Sequence, residues 1–344
     1  MDNTTTRIVI ETVVKKTLRE IKDSPERSTR NLVDMALHFS NGRFHRNFFE
    51  MAQTMLQNEN SPYYGLIEDI VCNVDSERLL RFGMNLGYNG CTVGAKTIRG
   101  IEAKEHYNIP WAISLKLDPR YFSDHQPEYG TLISQGEQIG VYTWLLFPTR
   151  DAADFLPLVQ EHPDSAFVLF CKPRDITLSF LDCVSECGNL MLAVHYEDDA
   201  ADACGLLRTA KLLYSVYFDY TENDVEAITS GELLFSIQQL HPAFTILLAG
   251  SQCPDAARQA VYESVKQARN QQLYRTIAME AACDSSFIDS VISTEACLAG
   301  FDSEGYLFTL QGSKKEDRFH FLQNALPGIL KLAFPKSNPD CLTV

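Results

Sequence analysis

At 344 residues, 45% of them hydrophobic and 22% charged, the chain is long and apolar enough to bury a large core, and its composition excludes a disordered polymer. Its net charge of −15 is uneven, because the first 50 residues carry nine Lys and Arg against seven Asp and Glu, which leaves the acidity to the remainder. An acidic body argues against a nucleic-acid partner, since binding the phosphate backbone takes clustered cations.

The N-terminal Met1-Asp2-Asn3-Thr4 is polar and Ile8-Val9-Ile10 is too short for the apolar region of a secretory signal. No apolar run approaches the roughly 20 residues that span a bilayer. The expectation is a cytoplasmic protein with no membrane partner, whose ten cysteines are free thiols. Cys183 and Cys187 form the one close pair, and three intervening residues on a helix merely place both on one face, so no metal site is expected there.

Residues 1–23 carry an apolar-polar pattern that predicts a helix, and Ser24-Pro25-Glu26 opens another. Apolar residues at helical spacing continue through 31–37 and 48–52, broken near residues 40–42, and Asn60-Ser61-Pro62 opens a further helix through Ile67, Ile70 and Val71. Residues 1–108 thus read as a helical cap. Within it, Gly90-Cys91-Thr92-Val93-Gly94-Ala95-Lys96-Thr97 differs by one residue from the phosphate-cradling pattern G-x-x-x-x-G-K-[ST]. That pattern offers an ATP-binding reading through Lys96; the plainer one is a Gly-rich turn feeding a helix over 96–104.

Ile109-Pro110-Trp111-Ala112-Ile113-Ser114-Leu115-Lys116-Leu117-Asp118 begins a regular alternation of short apolar runs with amphipathic stretches. Strands are predicted over 111–117, 141–147, 166–171, 190–195, 213–218, 244–248 and 275–279. Helices are predicted over 131–139, 152–160, 178–186, 201–211, 225–240 and 254–270. Successive strand starts lie roughly 22 to 31 residues apart, which suits βα units of a parallel barrel. The predicted fold class is α/β, a partial parallel (β/α) barrel over 109–284 with an extension and tail over 285–344; a doubly wound open sheet is the alternative.

Residues from about 82 to 330 resemble the radical S-adenosylmethionine proteins that carry a SPASM-type C-terminal extension. Phe82-Gly83-Met84-Asn85-Leu86-Gly87-Tyr88-Asn89 and residues 94–99 resemble the lead-in of one subgroup, and residues 133–142 its first helix and second strand. Cys297-Leu298-Ala299-Gly300 followed by Asp302-Ser303-Glu304-Gly305-Tyr306 resembles the start of the extension. In that family a CxxxCxxC loop after the first strand holds a four-iron cluster, whose open iron binds S-adenosylmethionine. Here residues 118–130 contain no cysteine, Phe147-Pro148-Thr149-Arg150-Asp151 stands where the family has Gly-Gly-Glu, and Cys297 lacks the later cysteine of the extension. The resemblance therefore implies an inherited fold without the cluster and with no cofactor expected. The protein would be a pseudoenzyme that binds a peptide, a small molecule or a protein partner, an active relative among them.

Polar residues remain at the predicted strand ends. Asp118, Arg150, Lys172, Arg174, His195, Glu197, Asp219 and Glu280 should converge on the barrel mouth, where ligand sites of parallel barrels lie. Such a rim would bind a ligand, or, in the second reading, support a cluster-independent enzyme with a metal or acid–base site, His195 and Glu197 lying on one side of an extended segment with Asp219 and Glu280 as third and fourth groups; the plainer reading is polar strand ends leaving a core. The stripe Arg258, Gln259, Tyr262, Lys266, Arg269 and Asn270 reads as the solvated face of a helix.

Overall fold

The computed structural model describes residues 3–39, 50, 52–293 and 295–336. The predicted break at residues 40–42, most of the predicted helical stretch 48–52, and Cys341 lie outside the described residues.

Among the described residues the strands are β1 (Ala112–Leu117), β2 (Thr143–Pro148), β3 (Ala166–Cys171), β4 (Leu190–His195), β5 (Tyr214–Tyr220), β6 (Phe244–Ala249), β7 (Ile277–Glu280), β8 (Ala299–Phe301), β9 (Leu307–Thr309) and β10 (Gly312–Ser313). The first seven are the apolar runs of the sequence, and their burial explains them: all six residues of β3 and five of six in β4 are buried. By internal contacts the chain divides into two units. Met1–Phe82, Phe170–Asp182 and Met191–Asp284 form the first, and Gly83–Leu169, Cys183–Leu190 and Ser285–Val344 form the second.

The first unit begins with helices Asn3–Ile21, Pro25–Phe39 and Pro62–Asn73. The third starts where Ser61 accepts a hydrogen bond from the Tyr63 N–H and Pro62 occupies the first turn. Strands β4 to β7 lie side by side in chain order and all parallel, with His195 beside Tyr217, Tyr220 beside Ala249 and Leu247 beside Glu280. Leu247, Tyr220 and Ala278 face a core closed by Ile228, Leu234, Val261 and Val265 of the following helices. The helix predicted over 225–240 is broken into Val225–Thr229 and Glu232–Ile237 at Gly231, whose φ of +86° no helix interior tolerates. Asp69 on the helix Pro62–Asn73 takes a bidentate pair from Arg208 at 2.6 and 2.8 Å, with His241 at 3.8 Å and Arg275 at 3.9 Å.

In the second unit β1 pairs with β2 and β2 with β3, again parallel and in chain order. On its other side β1 pairs in parallel with β8, Ile113 lying beside Ala299, and β8, β9 and β10 continue as an antiparallel hairpin series. Neighbours that follow chain order without reversal are the winding of a (β/α) barrel, whereas a doubly wound sheet reverses at a switch point. The fold is α/β, a partial parallel (β/α) barrel.

Two local expectations are corrected. Residues Met84–Gly94 form a π-helix that runs directly into the helix Ala95–Glu105, so no strand and no turn precede Lys96. Gly94 is needed for close backbone approach: a Cβ there would stand 2.3 Å from the Gly140 carbonyl oxygen. The ATP-binding reading at residues 90–97 loses its strand, loop and helix context, and Lys96 is exposed. Similarly, no loop follows β1. A helical segment starts at once at Pro119, because Asp118 caps it and Pro119 occupies its first turn; Pro119–Ile139 kinks at His125, just before Pro127, and the predicted 131–139 lies in its second part.

Candidate functional site

In the first unit the ends of β4 and β5 bring three of the predicted residues together. Register sets His195 beside Tyr217, and strand alternation puts Asp219 on the same face as Tyr217. His195 Nδ1 lies 3.0 Å from Glu197 Oε2, and its Nε2 lies 3.4 Å from Asp219 Oδ2. The imidazole also rests against the Tyr217 ring, with centroids 4.9 Å apart. Lys172 joins the group, its Nζ 5.8 Å from the Tyr217 centroid, while its backbone N–H donates to Asp175. Burial, with the charge of Asp219 second, pushes the Tyr217 phenol up, so the ring presents a neutral hydroxyl.

This arrangement suits a proton more than a metal. A protonated His195 bridges two carboxylates; a neutral one turns a lone pair toward one of them, and Glu197 and Asp219 are both exposed. With both ring nitrogens facing carboxylates, the imidazole has no nitrogen left for a shared cation. Among the described residues no three His, Cys, Asp or Glu side chains are disposed to hold a metal ion.

Glu280 was expected on this rim and is not there. It pairs with Leu247, which pairs with Phe218, and alternation sets Phe218 and Tyr220 on the face opposite Tyr217 and Asp219. Fully buried, Glu280 accepts hydrogen bonds from Tyr220 Oη at 3.0 Å and the Cys283 N–H at 2.7 Å. Burial first and Glu280 second push the Tyr220 phenol up and the Cys283 thiol up to about 12, so both remain protonated beside it. The Glu280 N–H donates to Asp284, which holds Arg269 in a bidentate pair at 2.7 Å. Arg269 therefore belongs to a buried network and not to the solvated stripe expected of its helix. Sequence reading missed Tyr217, Tyr220 and Asp284; strand parity, applied once the register is known, finds the two tyrosines.

The remaining candidates have other roles. Arg174 is exposed on the turn Pro173–Asp175. Arg150 makes a solvent-exposed pair with Asp151 at 3.8 Å. Asp118 Oδ1 accepts from the N–H groups of Arg120 and Tyr121 at 3.0 and 3.2 Å, the work of a helix cap.

In the second unit the segment after β1 does not fit a four-iron cluster. It has no cysteine, and two of its tyrosines already pack on the C-terminal part of the chain: Tyr121 Oη lies 3.2 Å from His320 Nε2, and the Tyr129 ring is tilted against Phe321 with centroids 4.8 Å apart. The nine cysteines of the described residues form no disulfide, Cys183 being exposed and Cys187 buried. Burial, with Asp289 second, pushes the Cys297 thiol far up. Asp289 is itself buried and accepts from the Trp111 N–H at 2.9 Å and the Cys297 N–H at 3.3 Å. Burial outweighs those two donors and pushes its carboxyl up to about 7. Among the described residues no helix is long and apolar enough to cross a membrane.

No protein-family model matches the chain, and no curated protein matches it. Among solved structures, SuiB of Streptococcus suis bound to S-adenosylmethionine is 10% identical, with a TM-score of 0.49 over 71% of this chain and 69% of its own. A second structure of SuiB is 9% identical, with a TM-score of 0.49 over 68% of this chain and 69% of its own. The radical S-adenosylmethionine methyltransferase TsrM of Kitasatospora setae, with cobalamin and a [4Fe-4S] cluster bound, is 14% identical, with a TM-score of 0.26 over 38% of this chain and 31% of its own.

Proposed function

We propose that this chain is a radical S-adenosylmethionine-like protein without the cluster, a non-catalytic binder of a small molecule, peptide or protein partner. One observation carries the reading: where the family it resembles has a cysteine loop, β1 passes through the capping Asp118 straight into a helix without cysteine. Three thiolates are needed to hold the cluster and leave one iron open, and this segment supplies none. The binding surface in this reading is the strand-end group Lys172, His195, Glu197 and Asp219, whose mixed charges suit a zwitterionic or peptide-like ligand. His195 between two carboxylates favours a second reading, cluster-independent proton transfer at the same residues.

The test has two arms. After anaerobic reconstitution with iron and sulfide, the protein should carry no stoichiometric iron and no charge-transfer absorbance; a stable cluster overturns the proposal. A thermal-shift screen of amino acids, S-adenosylmethionine and short peptides should find ligands that stabilise wild type and not His195→Ala or Asp219→Ala. If none does, the strand-end group is not the binding surface.

A further inference from the structure

The second unit carries a groove of about 560 Å³ along the helix Pro119–Ile139, lined by Gly130, Thr131, Ser134 and Gln138 and walled by Glu161 and His162. It shares no residue with the strand-end group. Its lining offers hydroxyl, amide and carboxylate groups and contains neither Lys nor Arg, so it is unsuited to an anion.

Gly130 lies inside the helix, where glycine is disfavoured relative to alanine. A Cβ on it would stand 3.5 Å from Glu161 Oε2 and 3.8 Å from His162 Nε2. Two groups able to accept hydrogen bonds thus converge on the space a side chain would fill. Glu161 Oε1 is engaged by Gln126 Nε2 at 3.5 Å, which leaves Oε2 for this space.

His162 is fixed from behind. Its side chain is only 8% exposed, and Nδ1 lies 3.4 Å from Glu137 Oε1. Ser165 Oγ donates to that same oxygen at 2.7 Å, and Asn189 Nδ2 donates to the His162 carbonyl at 2.9 Å. With Nδ1 facing the Glu137 carboxylate, the neutral imidazole carries its proton on Nδ1 and turns the Nε2 lone pair toward the groove.

We propose that this cradle over Gly130 binds a primary ammonium group, which donates hydrogen bonds to Glu161 Oε2 and His162 Nε2. The charge complements Glu161, two of the three N–H donors match the two converging acceptors, and no Lys or Arg in the lining opposes a cation. The ammonium belongs either to a free amine or to the amino end of a polypeptide.

The test is an NMR titration of the full chain, following the His162 ring protons, assigned by their loss in His162→Gln. The probes are propylammonium, Gly-Ala-Ala-amide and its N-acetylated form. The expected result is a saturable His162 shift with the two amines and none with the acetylated peptide. Tighter binding of the free-ended peptide identifies a polypeptide terminus; tighter binding of propylammonium identifies a free amine. Glu161→Gln should weaken binding about tenfold, the loss of one charge-assisted hydrogen bond. Gly130→Ala fills the cradle at ordinary contact distances, so it should melt no lower than wild type and fail to bind. Equal responses to free and acetylated peptide, no saturable shift, or undiminished binding by Gly130→Ala overturns the proposal.

Discussion

Asp289 should make stability fall with pH across a window where few carboxylates titrate. Its carboxyl moves from 3.8 to about 7 on folding, chiefly because burial penalises the charged form. The folded protein therefore holds a proton that the unfolded chain gives up. The resulting stabilisation is complete below the unfolded value and is lost as pH rises through the folded one. A shift of about 3 units corresponds to about 4 kcal/mol over the whole window, of which about 2.5 kcal/mol falls between pH 5 and pH 8. Asp289→Asn is neutral at every pH and isolates this contribution from all other groups. It keeps one acceptor for Trp111 and turns a donor toward the Cys297 N–H, a pH-independent cost of about 1 kcal/mol. Urea unfolding of both proteins at pH 5, 6, 7 and 8 should show wild type losing about 2.5 kcal/mol relative to the variant. Parallel pH profiles would refute the assignment.

Three further outcomes follow from single contacts. Asp69→Asn should cost about 2 kcal/mol at neutral pH, because it strands Arg208. Burial raises the Asp69 carboxyl but Arg208 outweighs it and lowers the net value, so this stabilisation disappears as pH falls and the two proteins converge in acid urea melts. Gly94→Ala forces a Cβ to within 2.3 Å of the Gly140 carbonyl and should lower stability by about 1–3 kcal/mol in thermal unfolding, whereas Lys96→Ala, on an exposed residue, should leave it unchanged. Asp118→Ala removes two capping hydrogen bonds and should cost about 1 kcal/mol by urea titration, with Asp118→Asn restoring most of it.

Much of the fold was legible because its signals are local. Leu190–His195 is a run that only a buried strand accounts for, and both its ends fall where the sequence puts them. The helical start directly after β1 is also readable, since Asp118-Pro119 is a capping pair. The candidate site was less legible. His195 and Glu197, two residues apart on an extended chain, were bound to share a side, and the register of β5 brings Asp219 to them. Glu280 sits at a strand end just as Asp219 does, yet its face depends on the pairing of β7 with β6, which composition does not encode. The groove over Gly130 depends on Glu161 and His162, some thirty residues onward, and no spacing rule connects them.

The pairing of β1 with β8 bears on how the chain is made. β1 finds β2 soon after both are synthesised, but its other edge waits for Ala299–Phe301, and the lead-in residue Trp111 waits for Asp289, 178 residues later. Closing a loop of that length is slow relative to local helix formation, and an edge with free N–H and C=O groups invites pairing with another chain. During translation the second unit thus passes through a stage in which β1 is half-paired. Chains terminated before Ala299 should remain in that stage, and aggregate where the full-length chain does not.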